Sequence, residues 1–210
     1  QRNGFTFAEG LTPAVDIHAS ELDSTAIIES YYPQVSELVT AALGANVVKR
    51  AVVFDHTIRS LARRQRGEKE TNGENVGGYA NGAHNDNSST SARTRVRLLA
   101  KTKEQGGSVS LQEPPLSEAE AECIANGHFG IFNVWRHFRT DYAAEDYPLA
   151  VLDAASAQAE DFQIAHYIYP HRVGEVVNVL HRPRHRWIYY SGMRHDEALV
   201  FKVFDTASEL

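Results

Sequence analysis

The chain has 210 residues, of which 42% are hydrophobic and 23% are charged, so it is long enough to bury the core of one domain. Its net charge of −6 gives no excess of lysine and arginine to neutralise phosphates, which argues against a nucleic-acid partner. A single cysteine excludes an internal disulfide and a cysteine-based zinc site, and it favours a reducing, cytoplasmic compartment.

The sequence also argues against a membrane-bound or secreted protein. No apolar run approaches the roughly 18 residues of a membrane span, and the first residues do not resemble a signal peptide. The ten histidines are more informative. A chain rich in histidine and poor in cysteine is compatible with a metal site built from imidazole and carboxylate ligands.

The first part of the chain predicts a helix followed by a strand. Apolar residues recur at helical spacing over 24–43, with Ser24 as the N-cap and Pro33 expected to kink or divide the helix. A β-branched, apolar run predicts a strand over 46–60. The charged and then Gly- and Asn-rich residues 61–83 predict an exposed, mobile loop.

The middle of the chain predicts one further helix. Residues 92–104 are basic and fit either a strand or a short helix, and 105–115 contain Gly-Gly and Pro-Pro, which are typical of a loop. Ser117 and Glu120 have the spacing of a capping box, so a helix is expected over 117–127.

Six short β-like segments separated by turn residues fill the rest of the chain: HFGIFNVWRHF, YPLAVLDAAS, FQIAHYIYP, EVVNVLHR, RWIYYSGM and EALVFKVFDT. This order predicts an α+β fold, a double-stranded β-helix (jelly-roll or cupin-like) core with flanking helices. We expect a single domain over 1–210, with a helix–strand portion at about 1–60 and the jelly-roll core at about 80–210.

A His-x-Asp tripeptide, His84 to Asp86, lies in a polar segment rich in Gly, Asn and Ser. In a strand, residues i and i+2 point to the same face, so this imidazole and carboxylate could meet at one metal ion. A third, distant histidine would complete a facial triad, which leaves positions on Fe(II) for a cosubstrate and O2. The tripeptide alone is weak evidence, because His-x-Asp arises often by chance and HNDNSS also fits a cluster of Asx turns.

The best source of a third ligand is the segment 180–207, which holds three histidines: His181, His185 and His195. His185 opens the aromatic segment HRWIYY, 99 residues after Asp86, and an apolar segment containing Lys202 follows. A hairpin of this kind would place a metal ligand beside an anion-binding group. From residue types alone, surface histidines on a basic strand remain the simpler interpretation.

Several longer segments favour the metal-ligand role over surface histidines, because they resemble a known family and occur in the same order. They are ESYYPQVSELV, ALGANVVKRAVVFDHTIRS, AHNDNS, FNVWR, YPLAVLDAAS, EDF, HRWIYYSGM and DEALVFKVFDT. The chain resembles the fungal and bacterial hydroxylase/desaturase proteins that include the aspergillic-acid enzyme AsaB, the gibberellin desaturase and the small cephamycin 7α-methoxylase subunit. Members usually carry a further N-terminal segment, which this chain lacks.

The resemblance implies a non-haem Fe(II), 2-oxoglutarate-dependent oxygenase that hydroxylates or desaturates a small secondary metabolite with O2. Carried over, the metal ligands fall on His84, Asp86 and His185. The candidates for the cation that holds the far carboxylate of 2-oxoglutarate are Lys202, Arg136 and Arg194. A structural ion pair is the alternative role for such a cation.

The expected substrate pocket has polar and aromatic members: His56, Arg59, Trp135, Trp187 and Tyr189. His56 and Arg59 lie in the shared segment FDHTIRS, where a packing role is an equal alternative. Aromatic residues at alternating spacing are more often plain core residues than pocket walls. The chain departs from the family at NVWRHF, where a proline commonly follows the arginine.

Two other functions remain open from the sequence. The same histidine and aspartate could serve as acid and base in a non-redox isomerase or cyclase. The chain could also be a non-catalytic accessory protein that binds a ligand. Turnover without metal or O2 would favour the first alternative, and tight binding without turnover the second. The sequence carries no signal for an oligomeric state.

Overall fold

The computed structural model describes residues 3–11, 24–69, 77–80, 82–169 and 172–207. The helices are α1 (Ser24–Ala26), α2 (Tyr32–Leu43), α3 (Leu61–Gln65), α4 (Ser89–Leu98) and α5 (Glu118–Asn126), and a π-helical turn, Ile27–Tyr31, joins α1 to α2. The strands are β1 (Phe5–Ala8), β2 (His84–Asn85), β3 (Gly130–Arg136), β4 (Ala150–Leu152), β5 (Phe162–Tyr169), β6 (Arg172–Val179), β7 (Trp187–Tyr189) and β8 (Ala198–Asp205).

Most predicted elements are confirmed. The helix over 24–43 is present, and Pro33 follows just after its π-helical turn, where the backbone departs from α-helical bonding. The basic segment 92–104 falls mainly in α4 rather than in a strand. All six predicted β-like segments contain a strand, from β3 to β8. Of the predicted loop 61–83, α3 is helical, and residues 70–76 and 81 lie outside the described residues.

The predicted strand over 46–60 is wrong. Residues 46–49 form a turn and a bend, and the rest of the segment has no sheet partner apart from one isolated bridge between Arg59 and Gly77. Their alternation is used for burial on two sides: Val52 packs on the cluster of α4 and α5, whereas Val53 packs on the cluster around Tyr32. The pattern therefore marks a partly buried segment that contacts two core clusters, which needs no ladder.

The strands form three antiparallel groups, ordered β1-β8-β3, β2-β6-β5 and β4-β7. Leu199 of β8 lies opposite both Phe7 of β1 and Trp135 of β3. Its side chain joins the core between this sheet and the β4-β7 pair. The other members of that core cluster are Phe5, Ala144, Leu149, Val151, Ile188, Tyr190, Met193 and Phe201.

The helices α4 and α5 pack together beside these sheets. Their contact centres on Val96, Leu99 and Ala125, and Ala92 of α4 touches the sheet through Ile131. No helix of the described residues is long and apolar enough to cross a membrane. Because α4 packs on both α5 and the sheet, its first turn is held in place together with the preceding segment that carries His84 and Asp86.

The capping box of α5 gives a first test of this architecture. Ser117 Oγ accepts a hydrogen bond from Glu120 N at 3.2 Å, and Glu120 Oε2 accepts one from Ser117 N at 2.9 Å. We expect Ser117→Ala to lower the free energy of unfolding by about 1 kcal/mol, because it leaves one N–H of the first turn unpaired. Urea unfolding followed by circular dichroism measures it. Ser117→Thr keeps the hydroxyl and should lose little; equal losses would contradict the cap.

Candidate metal centre

His84 and Asp86 lie side by side where β2 runs toward α4. His84 Nε2 is 3.3 Å from Asp86 Oδ1, and both side chains are partly open to solvent. His84 Nδ1 lies 2.8 Å from the carbonyl oxygen of Gly82. A carbonyl can only accept, so Nδ1 carries the proton and the neutral ring has its lone pair on Nε2, facing the carboxylate.

This contact has the chemistry of two adjacent metal ligands. A lone pair on His84 Nε2 and one on Asp86 Oδ1 repel each other unless a proton or a cation lies between them. Ligands at about 2.1 Å from one ion and at right angles to each other are about 3 Å apart. The observed 3.3 Å is close to that separation. The pair therefore fits a divalent metal that accepts imidazole and carboxylate ligands.

Two amide side chains hold this pair in place. Asn133 Nδ2 of β3 donates to Asp86 Oδ2 at 3.0 Å, so the second carboxylate oxygen is occupied. Asn85 Nδ2 donates to the carbonyl of Val203 in β8 at 2.7 Å. Alternation along β2 points Asn85 away from the face that carries its neighbours. The tripeptide is thus bonded to the β1-β8-β3 sheet through both Asn85 and Asp86.

Trp135 is the predicted pocket residue that lies best for a role at this site. It is two residues from Asn133 on β3, so both side chains are on one face of the strand. That face also carries the core residues Leu199 and Phe201 opposite them on β8. The His84–Asp86 pair therefore lies where the amide of Asn133 interrupts an otherwise apolar surface.

His185 lies at the far edge of the neighbouring sheet. His84 is opposite Asn178 of β6, and Asn178 is opposite Gln163 of β5, so the row spans two strand spacings, about 10 Å. His185 is tied to Asp161, which directly precedes β5, by an Nε2–Oδ2 distance of 2.9 Å. The structure brings His84 and Asp86 together but not His185, and the described residues hold no group of three His, Cys, Asp or Glu arranged for a metal. The third ligand stays a prediction.

His185 nevertheless has a donor atom without a partner. Its side chain is only 1% exposed, and Nδ1 is buried without a hydrogen bond in the described structure. The carboxylate of Asp161 is fully buried and also contacts Arg182 and Arg184. Burial alone would raise the pKa of Asp161, but the hydrogen bonds from His185, the backbone of Gln158 and Arg184 outweigh it and lower that pKa to about 2.

The three predicted cations for 2-oxoglutarate lie on β3, on β8 and in the turn between β7 and β8. Arg136 Nε donates to the carbonyl of His195 at 2.6 Å, and its guanidinium lies over the ring of Tyr31. Arg194 is largely exposed and lies 3.5 Å from Asp196. Lys202 alternates with Phe201 on β8, so its side chain leaves the face that the core occupies. The carboxylate-binding cation stays a prediction.

His56 and Arg59 belong to a different part of the fold. His56 Nδ1 is 2.9 Å from the hydroxyl of Tyr32, and burial lowers the pKa of His56 while it raises the pKa of Tyr32 to about 12. Arg59 donates to the carbonyl of Gly78. Both residues thus contact the helical portion and the segment after α3 rather than the His84–Asp86 pair, and their pocket role stays a prediction.

Trp187 and Tyr189 point away from the apolar core. They flank Ile188 on β7, whose side chain packs in the core cluster, so alternation turns both rings outward. Trp187 is 42% exposed and Tyr189 is 56% exposed. As pocket residues they would need a pocket on the outer side of β7, and that role stays a prediction.

Sequence reasoning assigned no role to Asn133 and did not connect Asp161 with a histidine. Asn133 is a polar residue inside an apolar strand, and Asp161 is a carboxylate at the start of another. A buried polar side chain must find a partner, so each position carried a signal. The identity of the partner depends on strand register, which the local pattern does not give.

Comparison with known proteins places the whole chain in a family. Residues 1–210 match the family described as "Oxidoreductase/YMDC permease-like domain". The chain belongs to this family. Its relatives in the curated set confirm the resemblance to hydroxylase/desaturase proteins. "Hydroxylase/desaturase efuI" of Hormonema carpetanum is 26% identical over 207 residues, and "Hydroxylase/desaturase CTB9" of Cercospora beticola is 27% identical over 189 residues.

These alignments cover much of this chain but less of its relatives. The match with efuI covers 93% of this chain and 64% of that protein, and the match with CTB9 covers 85% and 53%. The chain thus spans between about half and two thirds of the length of these family members.

Solved structures confirm the predicted fold class. The "iron and alpha-ketoglutarate-dependent endoperoxidase NvfI" matches with a TM-score of 0.74 and 22% identity, over 97% of this chain and 66% of that one. A variant of the same enzyme matches with a TM-score of 0.70 and 23% identity, over 97% and 64%. The family member described here therefore has the jelly-roll core of that fold, with antiparallel sheets and flanking helices.

Proposed function

We propose that this domain is the core of an Fe(II)- and 2-oxoglutarate-dependent oxygenase that hydroxylates or desaturates a small secondary metabolite with O2. The observation that carries the proposal is the His84 Nε2–Asp86 Oδ1 distance of 3.3 Å, with Nδ1 of the same ring 2.8 Å from the carbonyl oxygen of Gly82. The fold of an iron and alpha-ketoglutarate-dependent enzyme and the hydroxylase/desaturase relatives support it. We further propose His185 as the third ligand.

In this proposal the protein side chains bind and orient, and bound iron with 2-oxoglutarate supplies the oxidant that removes hydrogen from a C–H bond. Gly82 holds His84 in the tautomer that can ligate. Asp86 contributes negative charge to the site, and Asn133 fixes its plane through Oδ2. Trp135 and the neighbouring apolar wall would exclude water from one side of the reacting substrate.

The proposal also extends to domain organisation and location. The helical portion and the jelly-roll core would form one domain, because Arg136 of β3 packs on Tyr31 and Phe138 packs on the cluster of Ile27 and Tyr32. A cytoplasmic location is supported by the exposed, unpaired Cys123, which suits a reducing compartment.

Visible spectroscopy tests the proposed metal site. Anaerobic addition of Fe(II) and 2-oxoglutarate to the 210-residue protein should produce a weak metal-to-ligand charge-transfer band. In His84→Ala we expect that band to be lost at the same concentrations, because one of the two adjacent ligands is removed. Titration with Fe(II) at fixed 2-oxoglutarate measures the effect.

The matched control is His128→Ala. His128 also faces a carboxylate, Asp205, at 3.4 Å, but its side chain is 68% exposed. Its band should equal that of the unaltered protein. The oxygenase proposal fails if the unaltered protein shows no band, or if His84→Ala keeps it. Turnover that persists with a chelator and without O2 would instead favour a non-redox isomerase or cyclase.

A further inference from the structure

Two tyrosine rings lie face to face at the surface. The ring centroids of Tyr79 and Tyr147 are 4.1 Å apart, and the ring planes are only 8° from parallel. This separation is shorter than the roughly 4.5–7 Å that is usual for aromatic pairs in proteins. Tyr79 is 41% exposed and Tyr147 is 62% exposed, so a small oxidant reaches both phenols from solvent.

The backbone before Tyr79 is anchored independently of this contact. Gly77 N donates to the carbonyl of Ile58 at 3.1 Å, and Ser60 N donates to the carbonyl of Gly77 at 3.2 Å. Arg59 donates to the carbonyl of Gly78. Tyr79 follows directly after these two bonded glycines, so its ring is presented from a fixed segment.

Tyr147 is presented from a strained position next to the core. Its φ angle of 48° lies in the left-handed region, which a bulky side chain rarely adopts. Two residues later, Leu149 packs in the core cluster around Leu199. A conformation of this kind persists only where the surroundings determine it. The ring of Tyr147 is therefore held against Tyr79 from both sides of the contact.

The two hydroxyl groups lie at the same end of the stack. A hydrogen bond with Tyr79, followed by the charge of that phenol, raises the pKa of Tyr147. Because the rings are nearly parallel and stacked, a contact between the hydroxyl groups means that both rings point the same way. The ortho carbons, which flank each hydroxyl, then face each other. These are the carbons through which two oxidised phenols couple.

We propose that Tyr79 and Tyr147 form a modification site, at which a one-electron oxidant joins the two rings as dityrosine. Each phenol gives one electron to the oxidant and one proton to water, which leaves two tyrosyl radicals. One ortho carbon of each ring forms the new C–C bond and then loses its proton, while each phenol oxygen regains one. Two equivalents of oxidant are reduced, and the protein loses two hydrogen atoms. The oxidant belongs to the class of peroxide-activated haem, and the proposed oxygenase activity is not required.

The link joins two separate parts of the fold. Tyr79 lies shortly before β2 and Tyr147 shortly before β4. These strands belong to different groups, β2-β6-β5 and β4-β7. A covalent link between residues that are far apart in sequence removes freedom from the unfolded chain, as a disulfide does. The linked protein should therefore unfold at a higher urea concentration than the unlinked protein.

Oxidation of the 210-residue protein by a haem peroxidase with limiting hydrogen peroxide tests the site. A low protein concentration disfavours links between molecules. We expect dityrosine fluorescence from a species that stays monomeric on a denaturing gel and is lighter by two hydrogen atoms. Mass spectrometry after proteolysis should find the peptides of Tyr79 and Tyr147 joined. Tyr79→Phe and Tyr147→Phe should each lose this product.

Tyr142→Phe is the matched control. Tyr142 is 51% exposed, but the guanidinium of Arg139 lies over its ring, 4.7 Å from the centroid. This variant should keep the product. If the unaltered protein gives no joined Tyr79–Tyr147 peptide at a peroxide dose that oxidises Tyr142, the proposal is overturned. A monomeric dityrosine that persists in Tyr147→Phe overturns it as well. An unchanged urea midpoint of the linked protein overturns the stabilising effect of the link.

Discussion

Replacing Asp86 by alanine is expected to weaken Mn(II) binding by more than about 100-fold, whereas Asn133→Ala should weaken it by about 10- to 100-fold. Asp86 supplies the negative charge and one of two adjacent donor atoms, so its loss leaves His84 alone at 35% side-chain exposure. Asn133 touches only the second carboxylate oxygen, at 3.0 Å. Its removal leaves the ligand in place but free to rotate.

Calorimetric titration with Mn(II), a redox-stable substitute for Fe(II), measures this series. Asn126→Ala is the matched control, because Asn126 also donates to a carboxylate, that of Glu122 at 2.7 Å, but does so at the end of α5. Its affinity should equal that of the unaltered protein. If Asp86→Ala binds as tightly as Asn126→Ala, the ion is held elsewhere. If Asn133→Ala has no effect, the amide does not orient the carboxylate in solution.

Elements with a strong local signal were predictable from the sequence. Ser117 and Glu120 form both reciprocal bonds of a capping box, and the helix begins one residue after the serine. The six β-like segments combine β-branched residues with turn residues at their ends, and each contains a strand. Each of these signals depends on residues that are close in sequence, so it can be recognised without knowledge of distant contacts.

The segment 46–60 shows where local reasoning stops. Its composition is typical of a strand, but a strand also needs a partner, and the partner is decided by the rest of the fold. Here the backbone is bonded by side chains instead: Ser108 Oγ donates to the carbonyl of Phe54, and the N–H of His56 donates to Asp55 Oδ1 at 3.0 Å. A partly buried segment without sheet partners and a β-strand can have the same sequence signature.

The candidate site divides in the same way. The proximity of His84 and Asp86 follows from their two-residue spacing and was predictable. The contact of Asp86 with Asn133 spans 47 residues and depends on the register between β3 and β8. The outward direction of Trp187 and Tyr189 likewise follows from which face of β7 packs against the core, and alternation alone leaves both choices open.

One consequence joins fold and chemistry. The site is assembled from two sheets: β2 belongs to the β2-β6-β5 group, while Asn133 belongs to the β1-β8-β3 group. Two hydrogen bonds join the sheets at the site: Asn85 donates to the carbonyl of Val203, and Asp86 accepts from Asn133. The relative position of the sheets therefore determines the geometry of the metal ligands, and the apolar core that sets this position supports function.

Leu199→Ala is expected to lower the free energy of unfolding by about 3 kcal/mol, within the roughly 2–5 kcal/mol range of buried leucine truncations. Leu199 is 1% exposed and central in the β1-β8-β3 sheet, where it lies opposite Phe7 and Trp135. Removing three side-chain carbons leaves a cavity that the two rings can fill only in part. Urea unfolding measures the loss.

Val47→Ala is the control, since Val47 is 66% exposed and the change should stay within about 0.5 kcal/mol. Asn133 lies two residues before Trp135 on the same face of β3. If the ring of Trp135 relaxes into the cavity, Asn133 should shift with the strand. We therefore also expect a lower Mn(II) affinity at temperatures where Leu199→Ala is fully folded. Stability lost without any change in affinity would separate the core from the site. A stability loss below 1 kcal/mol would show that Leu199 does not lie at the centre of the core.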